Sequence, residues 1–236
     1  FQTSYTRNMI SLKEDFDLII AGQVDGACDH LLSEAASLFA SKTSLELFDM
    51  IHTMRSVDDS VYAHSLNVAL ISRAIGKWMQ FSKEDLNTLT LAGLLHDIGK
   101  TQIPPEILNK QGKLTDEEFD IIRSHAKLGH KILKDTDLDL RIKLAALQHH
   151  ERYDGSGYPR GLESDEIDTF ASIVAIADVY DAMTAARSYR APKCAFQVIA
   201  AFEDDGFQKY NPKVIFTFLQ RVAACYNNSR VLLSDG

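Results

Sequence analysis

The amino-acid sequence predicts an all-α protein, on three observations. Apolar residues recur at three- and four-residue spacing along most of the 236-residue chain, which is the period of an amphipathic helix. Five Pro and 12 Gly are too few to punctuate many short strands. No segment alternates apolar and polar residues for long enough to read as a half-buried strand.

The elements follow in chain order. Residues 1–43 read as a helical lead-in, with the amphipathic run ACDHLLSEAASLFA at 27–40. A second run, SLELFDMIHTMR, covers 44–55, and Ser44 followed by Glu46 and Leu47 marks its start. A long helix is expected from Asp58 to Met79 and another from Ser82 to about Ile98. Ser82 with Asp85 three residues on resembles a capping box, with Asp in place of Glu. Gly99 is expected to end that helix, and Pro104-Pro105 enforce a turn before a short helical turn around Ile107. Thr115 followed by Asp116, Glu117 and Glu118 places a cap and three carboxylates at the positive end of the next helix. That helix is expected to bend near Gly129 and to stop before Asp135. Residues 138–151 form another, ending in His149-His150-Glu151. The stretch RYDGSGYPRGLESDE at 152–166, with three Gly and one Pro, is a loop by composition. A strongly apolar helix follows from Thr169 to about Ala186, and two more fill 192–204 and 212–226.

The length allows one large domain, or one domain with a helical extension, and 45% hydrophobic residues suffice for a sizeable core. A formal net charge of −8 argues against non-specific binding to duplex DNA, which needs a basic surface, but leaves room for a small phosphate ligand. Cys28, Cys194 and Cys225 show no ligand spacing and read as ordinary thiols of a reducing compartment, Cys28 and Cys194 on exposed faces. No run of 18 apolar residues and no signal-peptide pattern is present, so a cytoplasmic location without membrane contact is expected. A start at Phe1 rather than Met points to a longer parent chain.

A single His on a helix is more often a satisfied core residue than a ligand, so a site must be recognised from arrangement. His96-Asp97 closes the apolar helix LTLAGLLHDIGK, where a buried charged pair is costly unless something compensates it. A metal ion would do so, with imidazole and carboxylate as ligands and the carboxylate bridging to a second ion. His149-His150 ends IKLAALQHHER beside another apolar stretch. Asp178 sits inside the apolar run ASIVAIADVYDAMTAA and needs a partner if that helix is buried; Asp181 shares its face. His64 lies in VYAHSLNVAL, and His125 in RSHAKLGH. Separate helices thus each present a His or Asp from an apolar face, which one shared metal centre explains together.

In this order the residues resemble the HD-GYP family, a branch of the HD metal-dependent phosphohydrolases. The matching string is His64, His96-Asp97-Ile98-Gly99-Lys100, His125, His149-His150-Glu151, Asp154-Gly155-Ser156-Gly157-Tyr158-Pro159 and Asp178 through Arg190. The resemblance implies an HD-domain helical bundle over 44–230, with HD-GYP C-terminal helices, behind the N-terminal extension 1–43. It implies a bacterial cyclic di-GMP phosphodiesterase that yields pGpG, GMP or both. His64, His96, Asp97 and Asp178 would hold one ion; Asp97 would bridge to a second, held also by His125, His149 and His150. Iron or manganese is the implied metal, and the nitrogen and oxygen ligand set agrees. Two such ions about 3.5–4 Å apart would lower the pKa of a bridging water and hold the phosphate for in-line attack.

Asp97 and Lys100 would carry the catalysis, and Lys100, Arg187 and Arg190 would contact the substrate phosphate. Gly157 and Tyr158 would wall the guanine side, or the loop would offer a surface to a diguanylate cyclase (GGDEF) domain, or it would only close the fold. Asp181 would orient a ligand histidine through its free ring nitrogen; Glu151 and Asp154 would do the same or stabilise the loop. Members with a third metal carry a Glu four residues before the first His, where this chain has Ser60, so two ions are expected. Ala126 stands where the family tends to have Pro, and His30, His52 and His130 lack motif support. The extension could mediate a homodimer. Two readings compete: hydrolysis of another cyclic dinucleotide or nucleotide, and a non-catalytic nucleotide-binding or cyclase-docking module.

Overall fold

The computed structural model describes residues 2–39, 46–48, 51, 61–184 and 195–225. Among these residues there is no strand, as the periodicity predicts; one antiparallel bridge joins Asp154 to Glu163. The helices are α1 (Gln2–Ile20), α2 (Val24–Phe39), α3 (Val61–Trp78), α4 (Lys83–Leu95), α5 (Pro105–Leu108), α6 (Asp116–Arg123), α7 (His125–Leu133), α8 (Leu140–Gln148), α9 (Thr169–Thr184), α10 (Ala195–Asp205) and α11 (Pro212–Cys225). A 3-10 turn, Ile98–Gln102, follows α4.

Local signals start these helices where the sequence places them. Ser82 Oγ accepts from Asp85 N and caps α4, while Thr115 and Glu118 form a full capping box on α6. Asp139 accepts from Arg141 N at the start of α8, and Asp168 Oδ1 from Phe170 N at the start of α9. α3, α4 and α9 then pack as the centre of one continuous core. It runs from Leu12 and Phe16 of α1 through Ile71 and Leu95 to Ile176 and Phe218. Tyr180 is fully buried, its ring edge-on to Phe48 at 5.5 Å and to Phe218 at 5.3 Å. α3 and α4 approach backbone to backbone: a Cβ at Gly93 would lie 2.6 Å from Ala69 Cα. That approach brings the end of α4 against the start of α3.

The structure corrects three expectations. α4 stops at Leu95, so Gly99 lies inside the 3-10 turn rather than ending the helix. His96 closes α4 with helical backbone angles, its Nδ1 donating to the Gly93 carbonyl at 2.7 Å, and Asp97 is the first residue to leave the helix. The expected bend at Gly129 falls instead at Ser124, between α6 and α7, where Ser124 Oγ and His125 Nδ1 take the carbonyls of Ile121 and Ile122 at 2.6 Å each. Cys28 is buried, not exposed, among the residues that pack α2 on the core. The expected start of α3 at Asp58, the position of Ser60, His52, Cys194 and the end of the 169–186 helix lie outside the described residues.

Candidate metal centre

Five histidines and two aspartates from five places in the chain meet at one end of the bundle. α3 supplies His64, the turn after α4 supplies His96 and Asp97, α7 begins with His125, the turn after α8 holds His149 and His150, and α9 supplies Asp178. Their donor atoms fall into two sets, each within 4.8 Å: Asp97, His125, His149 and His150, and His64, His96 and Asp178. His96, Asp97, His125 and His149 are essentially without solvent exposure.

Hydrogen bonds at the rear of four rings decide which nitrogen faces the centre. His96, His125 and His149 each place Nδ1 on a backbone carbonyl, at 2.7, 2.6 and 2.9 Å from Gly93, Ile122 and Ala145. A carbonyl only accepts, so each Nδ1 carries a proton and each Nε2 faces the centre; burial keeps His125 and His149 neutral, with a lone pair at Nε2. His64 Nδ1 donates to Asp181 Oδ2 at 2.8 Å. His125 and His149 thus point two Nε2 acceptors at each other, 3.2 Å apart. Two acceptors cannot bond to one another; two nitrogens sharing one ion at about 2.1 Å would sit ~3.0–3.4 Å apart.

Asp97 lies between the two sets and divides its oxygens between them. Oδ1 is 3.3 Å from His125 Nε2 and 3.7 Å from His149 Nε2; Oδ2 is 3.3 Å from His96 Nε2 and 3.5 Å from His64 Nε2. Lys100 Nζ donates to Oδ2 at 2.5 Å from the partly exposed rim. Burial opposes the Asp97 charge, but it is outweighed, the Lys100 ammonium beside Oδ2 foremost, and the carboxyl lies well below the usual range. Burial likewise opposes a charged His64, yet Asp178 and Asp181 together hold it up at about 10. His149, His125 and His150 are pushed down, mainly by burial, His150 to about 3. His96 Nε2 and Asp97 Oδ1 are buried without any hydrogen-bond partner. Orphaned acceptors facing inward, neutral imidazoles and shared carboxylates fit divalent cations of nitrogen and oxygen preference, and no thiolate is among them.

Of the residues expected at the site, the structure brings together His64, His96, Asp97, Lys100, His125, His149, His150, Asp178 and Asp181. Arg187 and Arg190 lie outside the described residues. Gly157 folds the loop onto its own root: a Cβ there would lie 2.3 Å from Arg152 N and 2.5 Å from His150 O. Tyr158 stacks on His150, ring centres 4.6 Å apart and planes at 23°. Glu151 serves the loop, its two oxygens accepting from Arg160 N and Leu162 N at 2.7 and 3.0 Å. Asp154 does so too, accepting from Ser156 N and Oγ. His30 pairs with Asp15 in the α1–α2 hairpin, away from the centre. Sequence reasoning missed Arg123, whose guanidinium carbon is 4.5 Å from the centre of the Tyr158 ring. Nothing in the order of residues joins positions 123 and 158.

Comparison with known proteins follows the same line. The chain is 39% identical over 179 residues to a cyclic di-GMP phosphodiesterase of Thermotoga maritima, covering 75% of this chain and 48% of that one. It is 34% identical over 182 residues to a 3'3'-cGAMP-specific phosphodiesterase of Vibrio cholerae, covering 76% of this chain and 35% of that one. The chain thus spans half or less of the length of these relatives. A solved HDG"Y"P protein of Bdellovibrio bacteriovorus shares the fold, with a TM-score of 0.75 and 19% identity over 93% of this chain and 70% of that one. The sequence model of the HD domain matches residues 28–214, which hold every described residue of the centre, and the chain belongs to the HD domain family.

Proposed function

We propose that the protein is a metal-dependent phosphodiesterase that hydrolyses cyclic di-GMP to pGpG, GMP or both at a binuclear centre. The observation that carries this reading is Asp97, whose two oxygens each face a different set of inward-pointing imidazole nitrogens. His64, His96, Asp97 and Asp178 would hold one ion; Asp97, His125, His149 and His150 would hold the other. Iron or manganese suits these donors. When bound, a pair of divalent ions supplies Lewis acidity and an activated water at neutral pH.

The chain's own residues do the rest. Lys100 stands at the rim on Asp97 and would take a phosphoryl oxygen of the substrate. Arg187 and Arg190 would add bidentate contacts to phosphate. Burial of His96, Asp97, His125 and His149 keeps bulk water from competing for the atoms that would hold the ions. The relative from Thermotoga maritima supports cyclic di-GMP as substrate, and the one from Vibrio cholerae supports a second reading, hydrolysis of 3'3'-cGAMP.

The test is incubation of protein loaded anaerobically with Fe(II) or Mn(II) with each dinucleotide, products being followed by chromatography. Metal-dependent pGpG or GMP is expected, and the Asp97→Ala variant should fold yet turn over nothing. Unchanged turnover in Asp97→Ala would sink the binuclear mechanism, and a clear preference for 3'3'-cGAMP would move the substrate. Tight cyclic di-GMP binding without hydrolysis would leave a binding module. The domain boundary at 43/44, docking of a GGDEF domain on the partly exposed loop, a homodimer through residues 1–43 and a cytoplasmic bacterial location belong to the same proposal. Light scattering of the protein alone and with a GGDEF domain tests the two assemblies.

A further inference from the structure

His150 is held differently from the other four histidines of the centre. His64, His96, His125 and His149 are each aimed by a hydrogen bond at Nδ1, to Asp181 or to a carbonyl. His150 has no such bond, and the nearest carboxylate oxygen, Asp178 Oδ2, is 4.0 Å from its Nδ1, beyond hydrogen-bond reach. An imidazole free to turn about its Cβ–Cγ bond would have to be ordered each time an ion bound. Tyr158 supplies the missing restraint, stacked on His150 at 4.6 Å and 23°. The Arg123 guanidinium lies against the same phenol ring at 4.5 Å.

The loop is built to put that ring there. Tyr158 N donates back to His150 O at 3.2 Å, so residue 158 returns onto the residue it covers. The return is possible because position 157 has no side chain. The Glu151 carboxylate then pins the outgoing strand of the loop at Arg160 N and Leu162 N.

We infer that Tyr158 is a positioning residue acting through His150: its ring, seated by the loop and backed by Arg123, fixes the His150 imidazole by stacking, as Nδ1 hydrogen bonds fix the other four. The inference rests on the binuclear reading and gives the Gly-Tyr-Pro loop a place in metal binding. It also makes the two ion positions unequal. The set with His150 depends on the loop, whereas the set of His64, His96 and Asp178 does not.

The experiment measures metal on the full chain, by elemental analysis after Mn(II) loading and by chelator competition, with electron paramagnetic resonance to tell coupled from isolated Mn(II). Tyr158→Leu should keep one ion and bind the second at least tenfold more weakly, the coupled signal giving way to an isolated six-line one. Tyr158→Phe should restore both, since it keeps the ring and loses only the hydroxyl. Arg123→Met, which leaves the loop intact, should weaken the second ion by a smaller factor and carries the test if Tyr158→Leu fails to fold. Two ions at wild-type affinity in Tyr158→Leu, with only KM for the dinucleotide raised, would overturn the inference and make the ring a substrate contact. A wild-type protein that holds one ion at saturation would instead overturn the binuclear reading; an ion that Tyr158→Leu does not weaken would then overturn the positioning role as well.

Discussion

Asp181 meets His64 on the side away from the proposed ions and decides what that ring can do. Its Oδ2 accepts from Nδ1 at 2.8 Å, and the Asp178 carboxylate faces Nε2 at 3.2 Å. A carboxylate behind an imidazole fixes the ring and raises its basicity as a ligand. Asp181→Asn keeps the shape and an accepting oxygen but removes the charge. Mn(II) at the His64 position should then bind about tenfold more weakly, with little change in melting temperature. A chelator titration with a parallel melt checks this; equal affinity would show that the charge on Asp181 is immaterial. The pair was readable beforehand, because residues three apart on a helix share a face. That Asp181 serves His64, 117 residues away, was not.

Among the elements, the crossing of the 3-10 turn with α7 carries the centre. Gly99 packs so closely that a Cβ would lie 2.0 Å from His125 O and 2.5 Å from Gly129 N, both backbone atoms that no rotamer change can move. Gly129 sits opposite, its own Cβ position 3.3 Å from Gly99 N. This contact sets Asp97 and Lys100 against His125. Gly99→Ala should cost about 3 kcal/mol, at the upper end for overpacking, and lower the melting temperature by roughly 6–12 °C for a chain of this size. It should also loosen metal binding, because it forces His125 away from Asp97. Thermal melts and metal content of the same preparation check both; an unchanged melt would show that the turn yields more easily than its backbone contacts imply. A glycine after HD-Ile reads in the sequence as a helix stop; its actual neighbour lies on another helix and leaves no local mark.

At the scale of the whole molecule, the α1–α2 hairpin is held to itself by a pH-sensitive pair. His30 Nδ1 lies 2.9 Å from Asp15 Oδ2, and the hydrogen bond to Asp15 raises the His30 pKa above its ordinary value. A raised folded-state value stabilises fully below the unfolded value, about 6.5, and the contribution vanishes as pH rises through the folded value. The His30 ring is half exposed, so the effect is small. Buried Cys28 beside it is pushed up to about 12, chiefly by burial and then by Asp29, Asp25 and Asp15, and stays protonated over this range. Between pH 6 and 9 the wild-type melting temperature should therefore fall more steeply than that of His30→Gln. Parallel slopes in differential scanning fluorimetry would remove His30–Asp15 from the stability of the hairpin.

By itself the sequence determined the helical class, most helix starts and the residue types of the centre. Each of these is written locally: in a 3.6-residue period, in a Ser or Thr followed by an acid, or in a His or Asp set on an apolar face. The HD match over residues 28–214 agrees with that reading. Tertiary structure alone decided how Asp97 divides its oxygens, and that Tyr158 lies against His150 and Arg123 against Tyr158. These depend on distances between segments far apart in the chain, which no local period, cap or apolar face encodes.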